Sequence, residues 1–487
     1  MFNVGDIKPA EKELSFVMDL AWDVSRWTPA EAHRYTEHWA AKTFGPALAH
    51  DIARLQQRYY RLQAGGKDAH VWFVQYTEEQ VARRLEEARS LEAEVELLAQ
   101  RVPERLHDAF FELVGYPIRG AALLNEYQLL ARRSKVCATR GDSLGAMADA
   151  NRVRLMFDQL NTWTRHYNEE VQNGKWNHFF SWQPYHWFRS EKIDPPCCSP
   201  EIFAHAQRGH KPRMLFDAHR VESDLASGSL HEIRFDSDAE GEVPLWIEAL
   251  TPIQHFSKEA KDNVFCRITT AADDFYASAT PINNVWHAPY VGPMWSQVGT
   301  LHVKKGANHL RVTDIKPDAR IDRIYLGLWP PFADEPRLRI PASAFSSQHD
   351  APEGHITMVE GLGYTDGLLV LPFDTPSYEP VTAPYVEYML NILPTDKTIE
   401  VRTLPTLHVY GASSGMGRDA RFAIQMGQAT PQVFSIHAND FTAEWRWNVL
   451  RGYASRCITI PPGCNGLQRL RVYLLDPGIT LQEVLVN

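Results

Sequence analysis

The sequence predicts a multidomain α+β protein in which a helical first half gives way to a β-rich second half, and two changes of pattern carry that reading. Between about residues 75 and 172 apolar residues recur every three or four positions, the spacing of one helix face. From about residue 215 they alternate with polar residues between closely spaced turn signals, the pattern of half-buried strands. A third observation is size. With 487 residues, 44% hydrophobic and 23% charged, the chain has globular proportions and material for several cores.

The opening "MFNVGDIKPAEKEL" sets Phe2 and Val4 on either side of Asn3, then a Gly5-Asp6 turn, then Lys8 and Glu11. This reads as a buried strand end running into a polar loop, the place where a (β/α)8 barrel builds its active site. Asn3, Asp6, Lys8 and Glu11 fall within nine residues. Glycosidic cleavage needs two carboxyl groups, and a lysine suits a sugar carboxylate; an ordinary charged loop has the same composition. "FVMDLAWDVSRW" then interleaves Asp19 and Asp23 with Trp22 and Trp27, either a pocket wall or a staple onto the helices.

"TPAEAHRYTEHWAAKTFG" has Thr28 as cap, Pro29 at the first helical position, Glu31 completing the box and Gly45 at the exit. Tyr59 and Tyr60 end the next helix. In "EEQVARRLEEARSLEAEVELLAQRV", Val81, Leu85, Ala88, Leu91, Val95 and Leu98 make one stripe. Two more helices follow, the second with Val153, Met156, Leu160, Trp163 and Tyr167 on one face, so residues 75–172 read as an antiparallel helix bundle. Gly174 ends it. "NGKWNHFFSWQPYHWF" crowds His178 and His186 among aromatics, but no third ligand has a metal-like spacing, and a packed connector is the plainer reading.

In the β half, "GTLHVKKGANHLRV" reads as a hairpin, with Leu301 and Val303 before the turn and Leu310 and Val312 after it. "RIDRIYLGL" adds a strand, and the Pro-rich "WPPFADEPRLRIP" links to a second β block holding "TIEVRTLPTL", "DARFAIQM" and "LQRLRVYLLDPGITLQEVLV". "NNVWHAPYVGPMW" places Trp286, Tyr290 and Trp295 together, a glycan-binding surface or a packing cluster.

Several function classes are excluded or unsupported. A net charge of -10 argues against nucleic-acid binding. No stretch approaches the roughly 20 apolar residues of a membrane-spanning helix, and no signal-peptide pattern is visible in an opening that reads as truncated. No dinucleotide, P-loop, GxSxG or HExxH motif occurs; "GASSGMGRD" lies among strands and reads as a hairpin loop. Six cysteines form no CxxC, although Cys457 and Cys464 flank "ITIPPG" closely enough to form a bridge or remain free thiols.

Taken together, "NVGDIKPAEKELSFVMDLAWDVSRWTP", "WAAKTFG", "YYRL", "DAFFELVGYP" and "YNEEVQNGKWN", with "EWRWNVLR" and the closing "LRVYLLDPGITLQEVLV", resemble the C-terminal half of glycoside hydrolase family 115, the xylan α-glucuronidases. The resemblance implies removal of α-1,2-linked 4-O-methylglucuronic acid from a polysaccharide such as glucuronoxylan, with inversion and without metal or organic cofactor. It implies Glu11 as catalytic acid or base with Asp6 beside it, and Asn3, Lys8, Trp22 and Tyr59 as substrate-binding residues. The domains expected are a barrel remnant over 1–70, a helix bundle over 71–190, and β-sandwiches over 210–332 and 338–487. A whole barrel takes about 250 residues, so the chain by itself is expected to be inactive. Members are commonly secreted or periplasmic and often pair, which makes a homodimer an expectation of the resemblance alone. The alternative reading is a non-catalytic glycan-binding β-sandwich protein.

Overall fold

The computed structural model describes the chain apart from residues 1–9, 29–30, 69–70, 72–73, 180–211, 218–230, 251–263, 279–281, 285–286, 291–293, 318, 366, 406–419, 439–443, 445–447 and 450. The chain forms two compact units. The first comprises residues 1–56, 68–333 and 441–447, the second 57–67, 334–440 and 448–487.

Seven α-helices run through the described residues: α1 (Glu11–Trp22), α2 (Tyr35–Phe44), α3 (Pro46–Ala64), α4 (Glu78–Ala99), α5 (His107–Phe110), α6 (Tyr116–Thr139) and α7 (Ser143–Glu169). Glu11 therefore opens a helix instead of sitting on the expected loop. Residues 11–22 contain no Gly or Pro, and Glu11 and Glu13 in the first turn favour the positive end of the helix dipole. The next helix starts in two steps. The Thr28 carbonyl accepts from the backbone of Glu31 and Ala32, and its hydroxyl donates to Glu31 at 3.0 Å. A 3-10 turn over Ala32–Arg34 then precedes α2.

α4 begins with a complete capping box, Gln80 N donating to Thr77 Oγ1 at 3.2 Å and Thr77 N to Gln80 Oε1 at 3.0 Å. All six residues of its stripe are buried, as are the five on α7. α6 packs against both α4 and α7. Being covered on nearly all sides, it carries buried polar residues such as Asn125, Glu126 and Arg132 that no stripe announces.

Ten strands follow in the first unit: β1 (Arg213–Asp217), β2 (His231–Ser237), β3 (Gly241–Leu250), β4 (Val264–Thr269), β5 (Asp274–Ser278), β6 (Ile282–Asn284), β7 (His287–Tyr290), β8 (Met294–Val303), β9 (Gly306–Thr313) and β10 (Arg320–Leu326). They form two four-stranded antiparallel sheets, β1-β10-β3-β8 and β2-β9-β4-β5, and the separate pair β6-β7. Side chains from both four-stranded sheets, among them Ile247, Ile324, Ile268 and Leu310, share one apolar core. The expected hairpin is corrected here. β8 pairs with β3, and β9 pairs with β2 and β4, so the turn after Val303 carries the chain from one sheet to the other. Leu301, Val303, Leu310 and Val312 all enter the same core, and alternation alone cannot distinguish this crossing from a hairpin.

Behind that core Glu248 and Arg323 form a buried pair, with Nη2 to Oε1 at 3.0 Å and a second bond from Nε to Oε2. Arg132, also buried, donates to the Val74 carbonyl and to Gln75 Oε1, each at 2.9 Å. Burial and the neighbouring Arg323 charge push its guanidinium down to about 10.

The second unit holds β11 (Leu338–Pro341), β12 (Ser347–His349), β13 (Thr357–Val359), β14 (Leu368–Val370), β15 (Tyr385–Ile392), β16 (Thr398–Thr403), β17 (Arg421–Met426), β18 (Gln432–Ser435), β19 (Ala454–Thr459), β20 (Gly466–Leu474) and β21 (Thr480–Val486). One sheet runs β13-β14-β21-β16-β19 with β11 also on β21; the other runs β12-β15-β20-β17-β18. Their facing side chains again share a core, including Val386, Phe422, Val401 and Val484. Every residue of β21 is buried because three strands flank it and a polar network covers its outer side. In that network Glu483 accepts from Arg339 Nη1 at 2.7 and 2.8 Å, from Arg402 Nη1 at 3.1 Å and from the Tyr364 hydroxyl at 2.7 Å. Burial would raise Glu400, but the Arg402 charge and hydrogen bonds outweigh it and hold the carboxyl below its usual range.

Of the two alternatives for Cys457 and Cys464, a bridge or free thiols, the structure has free thiols. Ala454 and Ile458 of β19 enter the core, which turns Cys457 outward, whereas Cys464 packs against the core itself. Cys197 and Cys198 lie outside the described residues.

The C-terminal half of α3 is held in the second unit by close backbone approach. Gly452 has φ +75°, and a Cβ there would lie 2.2 Å from the Ala64 carbonyl oxygen. Gly452→Ala is expected to lower stability by more than about 2 kcal/mol, because left-handed strain alone costs about 1–2 kcal/mol. Gly463 has φ +84° with nothing within 4 Å of its missing Cβ. Gly463→Ala should therefore show the strain without the clash in urea unfolding, and equal losses for both would refute the close-contact account.

Every described strand pair is antiparallel, and the single parallel bridge joins Thr77 to Ala333. A parallel barrel sheet is thus not among the described residues, and the strand expected around residues 2–4 lies outside them.

Candidate active site

Of the expected site residues, Asn3, Asp6 and Lys8 lie outside the described residues. Glu11 is half-buried at the first position of α1, and Lys12 beside it is 6% exposed. Lys12 Nζ donates to Gln56 Oε1 at 3.0 Å and meets Glu13 at 3.2 Å. Burial lowers the Lys12 ammonium below its usual range, partly offset by Glu13.

Gln56 in turn donates to the Leu113 carbonyl at 3.5 Å. That carbonyl belongs to a π-helical turn, Phe111–Gly115, inserted between α5 and α6. Pro117 in the first turn of α6 has no N–H to offer Leu113, its partner in regular α-helix, which favours the wider turn. The turn buries Glu112 against Tyr167 of α7. Burial raises the Tyr167 hydroxyl first, and the charges of Glu112 and Glu11 raise it further. Tyr116 lies 5.1 Å from the Tyr167 ring and shares a 2.9 Å hydrogen bond with Thr164.

The result brings two carboxyl groups, Glu11 and Glu112, near a phenol whose ionisation burial disfavours. Carboxyl and phenol groups are among the side chains that serve general acid–base catalysis. Sequence reasoning placed Tyr167 on a core stripe and did not single out Glu112. The signal was Pro117 five residues after Glu112 in "FELVGYP".

Trp22 is the last residue of α1 and 88% exposed. It stands about 16 Å along the helix axis from Glu11, so the two do not share one sugar subsite. Trp27 is the staple instead, packed edge-on against Tyr35 at 5.0 Å and His38 at 5.4 Å. Tyr59 belongs to the second unit, its ring 5.3 Å from Tyr60. Trp295 packs 6.1 Å from Tyr325 with the Arg323 guanidinium 5.0 Å from its ring. Trp286 lies outside the described residues, as does the side chain of Tyr290. His186 does too. No group of three or more metal-ligating side chains occurs among the described residues, and no helix there is long and apolar enough to cross a membrane.

Residues 1–70 match the glycosyl hydrolase family 115 profile, and residues 338–487 match that of the family's C-terminal domain. Both segments belong to glycosyl hydrolase family 115. A solved structure described as "a novel family GH115 4-O-Methyl-alpha-glucuronidase, BtGH115A, with specificity for decorated arabinogalactans" aligns with 100% of this chain at 20% identity and a TM-score of 0.56. The two share a fold, and the chain spans 45% of that protein's length. A family 6 carbohydrate-binding module of a Zobellia galactanivorans laminarinase aligns with 31% of this chain and 98% of its own, at 11% identity and TM-score 0.21. A Cellvibrio mixtus module complexed with cellotriose aligns with 31% and 98%, at 13% identity and TM-score 0.20. Those two scores are too low to bear on the fold. Comparison with curated proteins found no match.

The first family 115 segment contains α1, α2 and α3, and with them Glu11, Trp22 and Tyr59. The second contains all the strands of the second unit. Glu112, Tyr167 and the two sheets of the first unit fall between the matched segments.

Proposed function

We propose that this chain supplies one part of the active site of an α-glucuronidase that removes (4-O-methyl)glucuronic acid, α-1,2-linked, from a polysaccharide such as glucuronoxylan. Glu11 serves as one carboxyl group of an inverting acid–base pair, with Asp6 beside it, and Asn3, Lys8, Trp22 and Tyr59 contact substrate. The observation that carries this reading is Glu11 itself, which lies in a segment of family 115 and meets the buried Tyr167 and Glu112 cluster. An inverting pair stands about 6.5–9.5 Å apart with a water between. The domain reading that goes with it is a barrel end over 1–70, a helix bundle over 71–190, and β domains over 210–332 and 338–487.

The 487-residue chain is expected to bind 4-O-methylglucuronic acid weakly and to release none from aldouronic acids. Ligand-observed NMR with Glu11→Ala and Lys8→Ala variants checks the first point; binding that ignores both substitutions would sink the site assignment. Release of the acid by the unmodified chain, abolished in Glu11→Gln, would overturn the expected inactivity and leave Glu11 in its role. The non-catalytic alternative loses ground at Trp295, which is engaged in packing.

A further inference from the structure

A pocket of about 470 Å³ lies in the first unit where the β4–β5 and β8–β9 turns meet β2. Its lining is built in advance of any ligand. Thr270 Oγ1 accepts from the backbone of Ala272 at 3.1 Å and Asp273 at 2.9 Å, and donates to Asp273 Oδ2 at 2.9 Å. Asp273 then ties this turn to β8, accepting from His302 N at 2.9 Å and from His302 Nδ1 at 2.6 Å. The opposite rim is fixed by Asn308, which accepts from Lys304 N at 2.9 Å and donates to the carbonyls of Lys304 and Gly306 at 2.8 Å.

Charge in this pocket departs from the rest of the molecule. The chain carries a net -10, yet the pocket is lined by two cations, Arg234 and Lys304, against one carboxylate, Asp236, with His302 and His309 each engaged by carboxylates of their own. His302 is held toward its protonated form by Asp273 first and Glu242 second. Its carboxylate partners are thereby occupied, and Glu232 is engaged by His309 and Arg311. Among the described residues Arg234 and Lys304 have no such partner. Arg234 sits directly across from His309 in the β2–β9 ladder. Half-buried Phe235 and the exposed Ala271, Ala272 and Ala307 supply an apolar floor.

We propose that this pocket binds a uronate, a sugar ring bearing a carboxylate, at a place separate from the Glu11 cluster. The carboxylate would meet Arg234 and Lys304, the ring's C–H face would lie on the apolar floor, and Asp236 and Asn308 would take hydroxyl groups. A simple anion would not use Asp236, and a neutral sugar would leave two cations unanswered. The site stands whether or not the chain hydrolyses a glycosidic bond.

Calorimetric titration of the full chain with sodium glucuronate, glucose and sodium acetate at matched ionic strength tests the assignment. Glucuronate should saturate one site beyond any that Lys8→Ala removes, and the Arg234→Ala/Lys304→Ala double variant should weaken that site about tenfold or more, roughly the loss of one charged contact. Both side chains are exposed, so the double variant should unfold at the same temperature as the parent. A glucuronate-bearing oligosaccharide binding more tightly than free glucuronate would identify a polysaccharide branch as the ligand; equal affinities would identify the monosaccharide. Equal binding of glucose, full competition by acetate, or indifference to the double variant would each overturn the proposal.

Discussion

Glu248→Leu is expected to cost the first unit about 3–5 kcal/mol, the usual loss when one partner of a buried ion pair is removed. Arg323 would lose both bonds to its carboxylate while remaining 5% exposed. Its loss would be felt further, because Arg132 lies close enough for the two cations to repel, and Glu248 is the carboxylate that offsets them. The double variant Glu248→Leu/Arg323→Met should recover most of the loss, since apolar residues of similar volume replace such pairs with little change. Urea unfolding followed by hydrogen exchange, which separates the two units, checks both numbers. A single variant as stable as the parent would mean that the pair contributes nothing to the unit's stability.

Glu483→Leu should have a comparable effect on the second unit. Its carboxylate takes hydrogen bonds from two arginines and a tyrosine while 2% exposed. Without it Arg339 has no carboxylate at this point, the Tyr364 hydroxyl loses its acceptor, and Arg402 retains only Glu400. A loss of about 3 kcal/mol or more is expected, with exchange accelerating in β11, β16 and β21. Glu483→Gln keeps acceptor capacity and should cost less. If the glutamine and leucine variants unfold together, the hydrogen bonds are not what holds this face.

The helices with a clean apolar stripe were legible in the sequence, because spacing is a local property. Val81 through Leu98 on α4 are buried as their period requires. Strand alternation was equally plain, as Leu301 and Val303 show. Partnership was not. Nothing local tells Leu310 whether its strand will pair with the preceding one or lie in the facing sheet, since both put it in the same core. The carboxylate cluster was half legible. Glu11 stood out by composition and family resemblance, whereas Glu112 owes its place to a π-helical turn that depends on a proline five residues away. The buried network on β21 was hidden for a different reason. "TLQEVLV" shows one charge, and its partners Arg339, Tyr364 and Arg402 come from three distant segments.

That arrangement fixes when the second unit can assemble. β21 is made after every strand it joins, yet it sits inside its sheet with β16 on one side and β14 and β11 on the other. Until it arrives, the earlier strands have exposed edges and no centre, and such edges are prone to pair with other chains. Folding of this sheet therefore waits until β21 has been made, and its rate is governed by contacts of long sequence separation such as Leu338 with Val486.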